Sequence, residues 1–191
     1  IEMLAASGYN TVNLGVDDPN TSADYPDVAA TLADAMIDDK NAKIGYLRII
    51  EFTPQTAQRV QDAIDSFKKN NFTGMIIDLR NNPGGLITSV ADVADKFIDT
   101  GIIVSTKSRI SEAASVYTAT PDASTMPKGI PIVVLINKGS ASASEILAGA
   151  LKDYHLAYLV GERTYGKGSV QQVIPLYNAD GVKLTMARYY T

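Results

Sequence analysis

The stretch IVVLINKGSASASEILAGALKDY, residues 132–154, decides the fold. Ile132 to Ile136 is five aliphatic residues without a polar break, the pattern of a strand buried on both faces rather than one with a wet side. Asn137-Lys138-Gly139-Ser140 is a turn-forming loop, and from about Ser142 to Tyr154 the apolar residues return at helical spacing. The same strand–loop–helix unit recurs on both sides. Upstream, Ile44–Phe52 is a β-prone apolar run. Thr53 is placed to cap a helix with Pro54 in its first position, and Ala57, Val60, Ala63, Ile64 and Phe67 carry that helix to about Lys69. Met75–Leu79 is a second buried strand, Val90, Val93, Ala94, Phe97 and Ile98 mark a second helix, and Ile102–Ser105 is a strand before the polar stretch 107–129. Downstream, Ala157–Val160 is a strand, and Gln171–Leu176 with Val182–Tyr189 is a hairpin turning at Asn178-Ala179-Asp180-Gly181. Strands alternating with helices predict an α/β fold, a largely parallel sheet flanked by helices.

The domain boundary is expected at residue 42: an N-terminal segment over 1–42 and a core over 43–191. Within the first segment Asp17–Ser22 is a turn-rich loop, while residues 28–37 fit either a short helix or the entry to the next strand.

Composition removes several kinds of chemistry. The 191 residues contain no cysteine and a single histidine, His155. Disulfides, thiolate zinc sites, iron–sulfur clusters, a cysteine nucleophile and a multi-histidine metal site are therefore excluded. Seventeen basic against 21 acidic residues, a net charge of −4, argues against a nucleic-acid binder. No apolar run reaches the 18 or so residues of a membrane span, so no obligatory membrane insertion is expected.

In a parallel sheet, ligands gather at the loops after the carboxyl ends of the strands. Three loops qualify: 80–86, 137–143 and 161–169. Ser142 stands at a strand-to-helix corner with its hydroxyl exposed near the positive end of the helix, and the N–H of Ala143 is free to donate to an oxyanion. The same residues also make a capping box, Ser142-x-x-Glu145, which needs no catalysis. Lys167, between Gly166 and Gly168, is either a surface lysine or a proton acceptor. The second role requires its neutral form, favoured by burial or neighbouring donors. Asn82-Pro83-Gly84-Gly85 is a tight turn whose glycines can present a second N–H to an anion. Gly161 to Lys167 imitates the start of a phosphate-binding loop, but Gly168 stands where a magnesium-binding hydroxyl belongs and a β-like run follows instead of a helix. His155 lies twelve or more helical residues beyond Ser142, too far to be its base; a helix C-terminus, favourable to a cation, is its better place.

Five segments together, IGYLRIIEFT, GMIIDLRNNPGGL, PIVVLINKGSASASEILAGALKDY, VGERTYGKGSVQ and VKLTMARYYT, appear in the order found in the carboxyl-terminal processing peptidases, also called tail-specific proteases (serine peptidase family S41). The chain resembles that family over roughly residues 43–191. The resemblance implies a crotonase-like/ClpP-like core and a serine–lysine dyad. The family nucleophile, the middle serine of SASAS, falls on Ser142. The base, the lysine of the GKG turn, falls on Lys167, 25 residues later. A glutamine that holds the lysine amine falls on Gln171. The oxyanion hole falls on the N–H of Ala143 with that of Gly85, Gly84 being the alternative.

The implied activity is serine endopeptidase cleavage near the C-termini of protein or peptide substrates, with no metal or cofactor, outside the cytoplasm (periplasmic, secreted or envelope-associated), with homo-oligomerisation left open. A non-catalytic binding module or an inactive fragment on the same fold is the alternative, and an acyl-CoA enzyme of crotonase type is a third class that leaves the serine–lysine pairing unexplained. The family usually carries a PDZ domain. No PDZ-like pattern is evident in residues 1–42, so a substrate-capture module is expected to join ahead of Ile44; the rival is that residues 1–42 form the capture element themselves.

Overall fold

The computed structural model describes residues 10–13, 32–39, 42–108, 114–121, 123–177 and 180–191. The 17–22 loop and the tip of the C-terminal hairpin at 178–179 lie outside the described residues. The elements in chain order are β1 (Asn10–Asn13), β2 (Leu32–Asp39), β3 (Ala42–Ile49), α1 (Thr56–Lys69), β4 (Gly74–Asp78), α2 (Ile87–Ala94), β5 (Ile102–Lys107), β6 (Val116–Thr118), β7 (Ile132–Ile136), α3 (Ala143–Asp153), β8 (Ala157–Gly161), β9 (Ser169–Pro175) and β10 (Gly181–Tyr190).

Among the described residues ten strands form two sheets. The larger has the order β1-β2-β3-β4-β7-β8, and the smaller β6-β5-β10-β9. The four strands β3, β4, β7 and β8 are parallel neighbours, as the strand–helix alternation predicts. β1 and β2 extend the sheet antiparallel, so the undecided stretch around residues 28–37 is strand over Leu32–Asp39. The smaller sheet is antiparallel throughout. Its β9–β10 hairpin is the one expected from the sequence.

Helix α1 begins at Thr56 rather than Pro54. The Thr53 N–H donates to the Thr56 hydroxyl at 2.9 Å, and Thr56 N–H returns to the Thr53 carbonyl at 3.1 Å, closing a turn ahead of the first regular helical residue. Its buried face is Val60, Ala63, Ile64 and Phe67, seated on Leu47, Ile49 and Ile77 of the sheet. β4 contributes Met75 and Ile77, both almost fully enclosed, and Ile146, Leu147, Ala150 and Leu151 of α3 close the core further along. Phe67 and Phe72 meet as a tilted ring pair with centroids 5.8 Å apart. No helix among the described residues is long and apolar enough to cross a membrane.

Gly45 of β3 has a packing reason. A Cβ there would lie 2.6 Å from the buried Phe67 ring, so the missing side chain is the space the ring occupies. At the end of β4, Asp78 is a buried carboxylate. Arg80 grips it with two nitrogens at 2.9 and 2.7 Å, and the Tyr46 hydroxyl donates to it at 2.7 Å. Burial alone pushes the Asp78 carboxyl up, but the bonds from Arg80 and Tyr46 together outweigh it and hold the group below its ordinary value. Burial, reinforced by the bond to Asp78, pushes the Tyr46 phenol up to about 12.

Two stability measurements check this packing. Gly45→Ala is expected to cost about 1–3 kcal/mol by overpacking against Phe67. That lowers Tm by roughly 2–4 °C per kcal/mol for a chain of this size. Gly168→Ala, where a Cβ meets nothing within 4 Å, serves as the neutral comparison. For Tyr46 the folded-state value lies above the ordinary phenol value of about 10. The stability it contributes is complete below pH 10 and fades as pH rises toward 12. The Tm difference between the parent and Tyr46→Phe should therefore narrow from pH 9 to 12; a constant difference would contradict the assignment.

Candidate active site

The three loops nominated by the sequence converge. Loop 80–86 leaves β4, loop 137–143 leaves β7 and loop 161–169 leaves β8, so all three emerge from the carboxyl ends of adjacent parallel strands. Bonds between them fix their spacing. Asn81 and Asn137 interlock: Asn81 N–H donates to Asn137 Oδ1 and Asn137 Nδ2 to Asn81 Oδ1, both at 2.9 Å. Ala141 N–H donates to the Asn82 carbonyl at 3.0 Å, and Tyr165 N–H to the Ser140 carbonyl at 3.0 Å.

The alternating serines of Ser140-Ala141-Ser142-Ala143-Ser144 divide the work. Ser140 and Ser144 are fully buried; their hydroxyls donate to the carbonyls of Leu79 at 2.8 Å and Asn82 at 3.0 Å. They pin the corner to the neighbouring strand end. Ser142 faces a cavity of about 260 Å³ that it shares with Lys167, Glu145 and Tyr189. Its backbone is strained, with φ 55° and ψ −115°, a region that a residue with a Cβ enters only when its surroundings hold it there. A sharp, strained strand-to-helix corner of this kind lifts a serine hydroxyl clear of the backbone.

What holds the corner is Glu145. Its Oε2 accepts from the N–H of Ser142 at 2.9 Å and of Lys167 at 2.8 Å, and its Oε1 accepts from Gly166 N–H at 2.7 Å. The capping box expected from the sequence is therefore present, and it reaches further than a cap. One carboxylate ties the backbone of Ser142 to the backbone of the Gly166-Lys167-Gly168 turn. The sequence signal for that second role was absent, because nothing in Ser142-x-x-Glu145 points 22 residues downstream.

The two N–H groups expected to face an anion are those of Ala143 and Gly85. Among the described residues neither Ala143 N–H nor Gly85 N–H has a hydrogen-bond partner. Gly84 N–H is committed to the Asn82 side chain at 2.8 Å, which favours Gly85 over Gly84 as the available donor. Both glycines have positive φ, 110° and 140°. A Cβ on Gly84 would meet Ser142 Cβ at 2.8 Å, and one on Gly85 would strike the Phe52 backbone. Asn82 itself, fully buried, spans the gap by donating to the Ile49 carbonyl at 2.8 Å.

The remaining predicted residues are placed as follows. Lys167 is half-buried and lines both the small cavity and a larger adjoining cleft of about 1030 Å³. Gln171 lines the larger cleft, and its Nε2 donates to Thr185 Oγ1 at 3.5 Å. Ser142, Lys167 and Tyr189 all line the small cavity. Burial pushes the Tyr189 phenol up, and the neighbouring Ser142 side chain partly offsets the push. Tyr189 was missed from the sequence; it is carried into the site by its strand, where its N–H donates to the Gly168 carbonyl at 2.9 Å. His155 follows the end of α3, exposed and away from these cavities. After Lys167 the chain enters β9, so the imitation of a phosphate-binding loop has no helix behind it.

Comparison with known proteins fits this geometry. A carboxy-terminal-processing protease of Bartonella bacilliformis is 45% identical over 152 residues, covering 78% of this chain and 35% of that protein. A chloroplastic C-terminal processing peptidase of Tetradesmus obliquus is 39% identical over 151 residues, with 78% and 32% covered. The solved structure of a photosystem II D1 C-terminal processing protease superposes with a TM-score of 0.68 at 39% identity, over 78% of this chain and 38% of that one. The chain thus spans about a third of the length of these curated relatives. The family model for peptidase family S41 matches residues 43–191, the stretch that holds all three loops, and the chain belongs to that family.

Proposed function

We propose that this chain carries the catalytic core of a serine endopeptidase that cleaves protein substrates near their C-termini, with Ser142 as nucleophile and Lys167 as base. The observation that carries the reading is a strained serine corner and a lysine turn clamped to one carboxylate and opening into one cavity. Ser142 Oγ attacks the scissile carbonyl carbon, and its proton passes to Lys167 Nζ. The carbonyl oxygen takes the negative charge and receives bonds from Ala143 N–H and Gly85 N–H. As the intermediate collapses, the carbon–nitrogen bond breaks and Lys167 returns the proton to the leaving amine. Water then attacks the acyl-enzyme ester, again with Lys167 as base, and frees Ser142.

On entry of substrate, the Ser142 hydroxyl engages Lys167; contacts of this kind commonly tighten only in the substrate complex. Gln171, four residues after Lys167, steadies the amine from the adjoining cleft. The selection of chain ends is assigned to a module joining ahead of Ile44, because remote contacts are what orient a scissile bond. The proposed location is outside the cytoplasm, periplasmic, secreted or envelope-associated, a reading the family resemblance supports.

Cleavage of an unstructured protein by the intact protein, beside Ser142→Ala, tests the reading; equal cleavage by both would sink it. Lys167→Arg should lose roughly 10²–10⁴-fold in kcat, because arginine stays protonated and cannot accept the proton. Near-normal turnover in that variant would identify another base. Glu145→Gln keeps the size of the side chain but weakens the grip on three N–H groups. We expect a loss on the order of 10²-fold in kcat with a smaller change in KM, the signature of misplaced reacting groups. An unchanged kcat would reduce Glu145 to a helix cap.

A further inference from the structure

Beyond Lys167 the cleft widens along the β9–β10 hairpin, and its wall has an unusual charge. Lys183 and Arg188 of β10 line it together with Lys167, and among the described residues no acidic one does. This occurs in a chain of net charge −4. Among the described residues neither Lys183 nor Arg188 has a carboxylate partner.

Strand geometry puts the two cations on one face on purpose. Side chains alternate along a strand, so Lys183 and Arg188, five residues apart, belong on opposite faces of a regular one. The β10–β9 register slips between Thr185 and Ala187, and this bulge turns the following residues over. As a result Arg188 and Tyr190 join Lys183 and Thr185 on the cleft wall. A third cation stands beside them. Lys107 of β5 is the direct cross-strand partner of Arg188, and its Nζ lies 4.6 Å from the centre of the Tyr190 ring. Like charges directly opposite each other destabilise a sheet. A strand that bulges so as to aim one cation at a cleft, with another cation facing it across the ladder, is built to meet an anion.

We propose that this wall is a carboxylate subsite of the peptide-binding cleft, in which Lys183 and Arg188 receive a carboxylate of the substrate close to its scissile bond. The proposal rests on the reading of the Ser142–Lys167 cavity as a peptide-cleaving site. An extended peptide rises about 3.3 Å per residue, the same step as β10, so a chain lying along the strand passes the two cations within about five residues. The carboxylate has two sources, an acidic side chain or the free C-terminus.

The test measures binding to the Ser142→Ala form of the intact protein by fluorescence anisotropy, so that it does not depend on cleavage. Matched peptides carry Glu or Gln at each of the five positions on either side of the bond, each with a free or an amidated C-terminus. Tightening of about fivefold per engaged cation is expected for Glu over Gln or for free over amidated, the ceiling for an exposed ion pair, and it should shrink in high salt. A Glu effect assigns the subsite to side chains; a C-terminus effect assigns it to the chain end. The preference should fall toward one in Lys183→Gln/Arg188→Gln and return in Lys183→Arg/Arg188→Lys, and Arg188→Gln should not lower Tm, since it removes a repulsion. Equal affinity for all peptides, or a preference that survives the double Gln variant, overturns the subsite. Failure of the parent to cleave any peptide would count against the peptidase reading and leave this binding comparison standing on its own result.

Discussion

The carboxylate of Glu145 is the contact on which the site depends. Three backbone N–H groups from two distant segments converge on its two oxygens. Hydrogen bonds to an ionised acceptor are about twice as strong as neutral ones. Here they hold two things that would otherwise relax. Ser142 sits in a backbone region costing about 1–3 kcal/mol, and the Gly166-Lys167-Gly168 turn has glycines free to take other shapes. Fixing both to a single planar group converts two loops into one rigid unit and sets where a serine hydroxyl and a lysine side chain enter a common cavity.

Around that clamp Asn82 holds the loops that carry the proposed oxyanion donors. Asn82 bonds to the end of β3 through its side chain, to Gly84 through Oδ1 and to the serine corner through its carbonyl. It therefore spaces the Gly85 N–H from the Ala143 N–H. The buried Asp78, gripped by Arg80 and Tyr46, anchors the same loop one turn earlier.

The α/β core was legible from the sequence because its signals are local. Aliphatic runs such as Ile132–Ile136 and Met75–Leu79 mark strands, and the spacing of Val60, Ala63, Ile64 and Phe67 marks a helix face. The loops at the strand ends, and the corner at Ser142, followed from the same alternation. What stayed hidden depends on pairing between distant segments. The start of α1 was displaced by a side-chain bond between Thr53 and Thr56. The strand over Leu32–Asp39 takes its conformation from antiparallel pairing with β3, which its own residues leave undecided. Glu145 looked like a cap because its other partners lie past β8, and Tyr189 joins the cavity of Ser142 only through the register of β10 on β5 and β9. The three serines of 140–144 are chemically alike and all three are buried, Ser142 included, against the exposed hydroxyl expected from the sequence; the bonds of Ser140 to Leu79 and of Ser144 to Asn82 separate them from Ser142, which faces the cavity.

Covalent labelling tests the pairing of Ser142 with Lys167 most directly. The intact protein is treated with a fluorophosphonate that forms a stable ester with an activated serine, and the adduct is located by peptide mass spectrometry, for the parent, Ser142→Ala and Lys167→Arg. One adduct on Ser142, absent from Ser142→Ala and strongly slowed in Lys167→Arg, is the expected result. Labelling at another residue, or a rate on Ser142 that the arginine leaves untouched, would contradict the dyad.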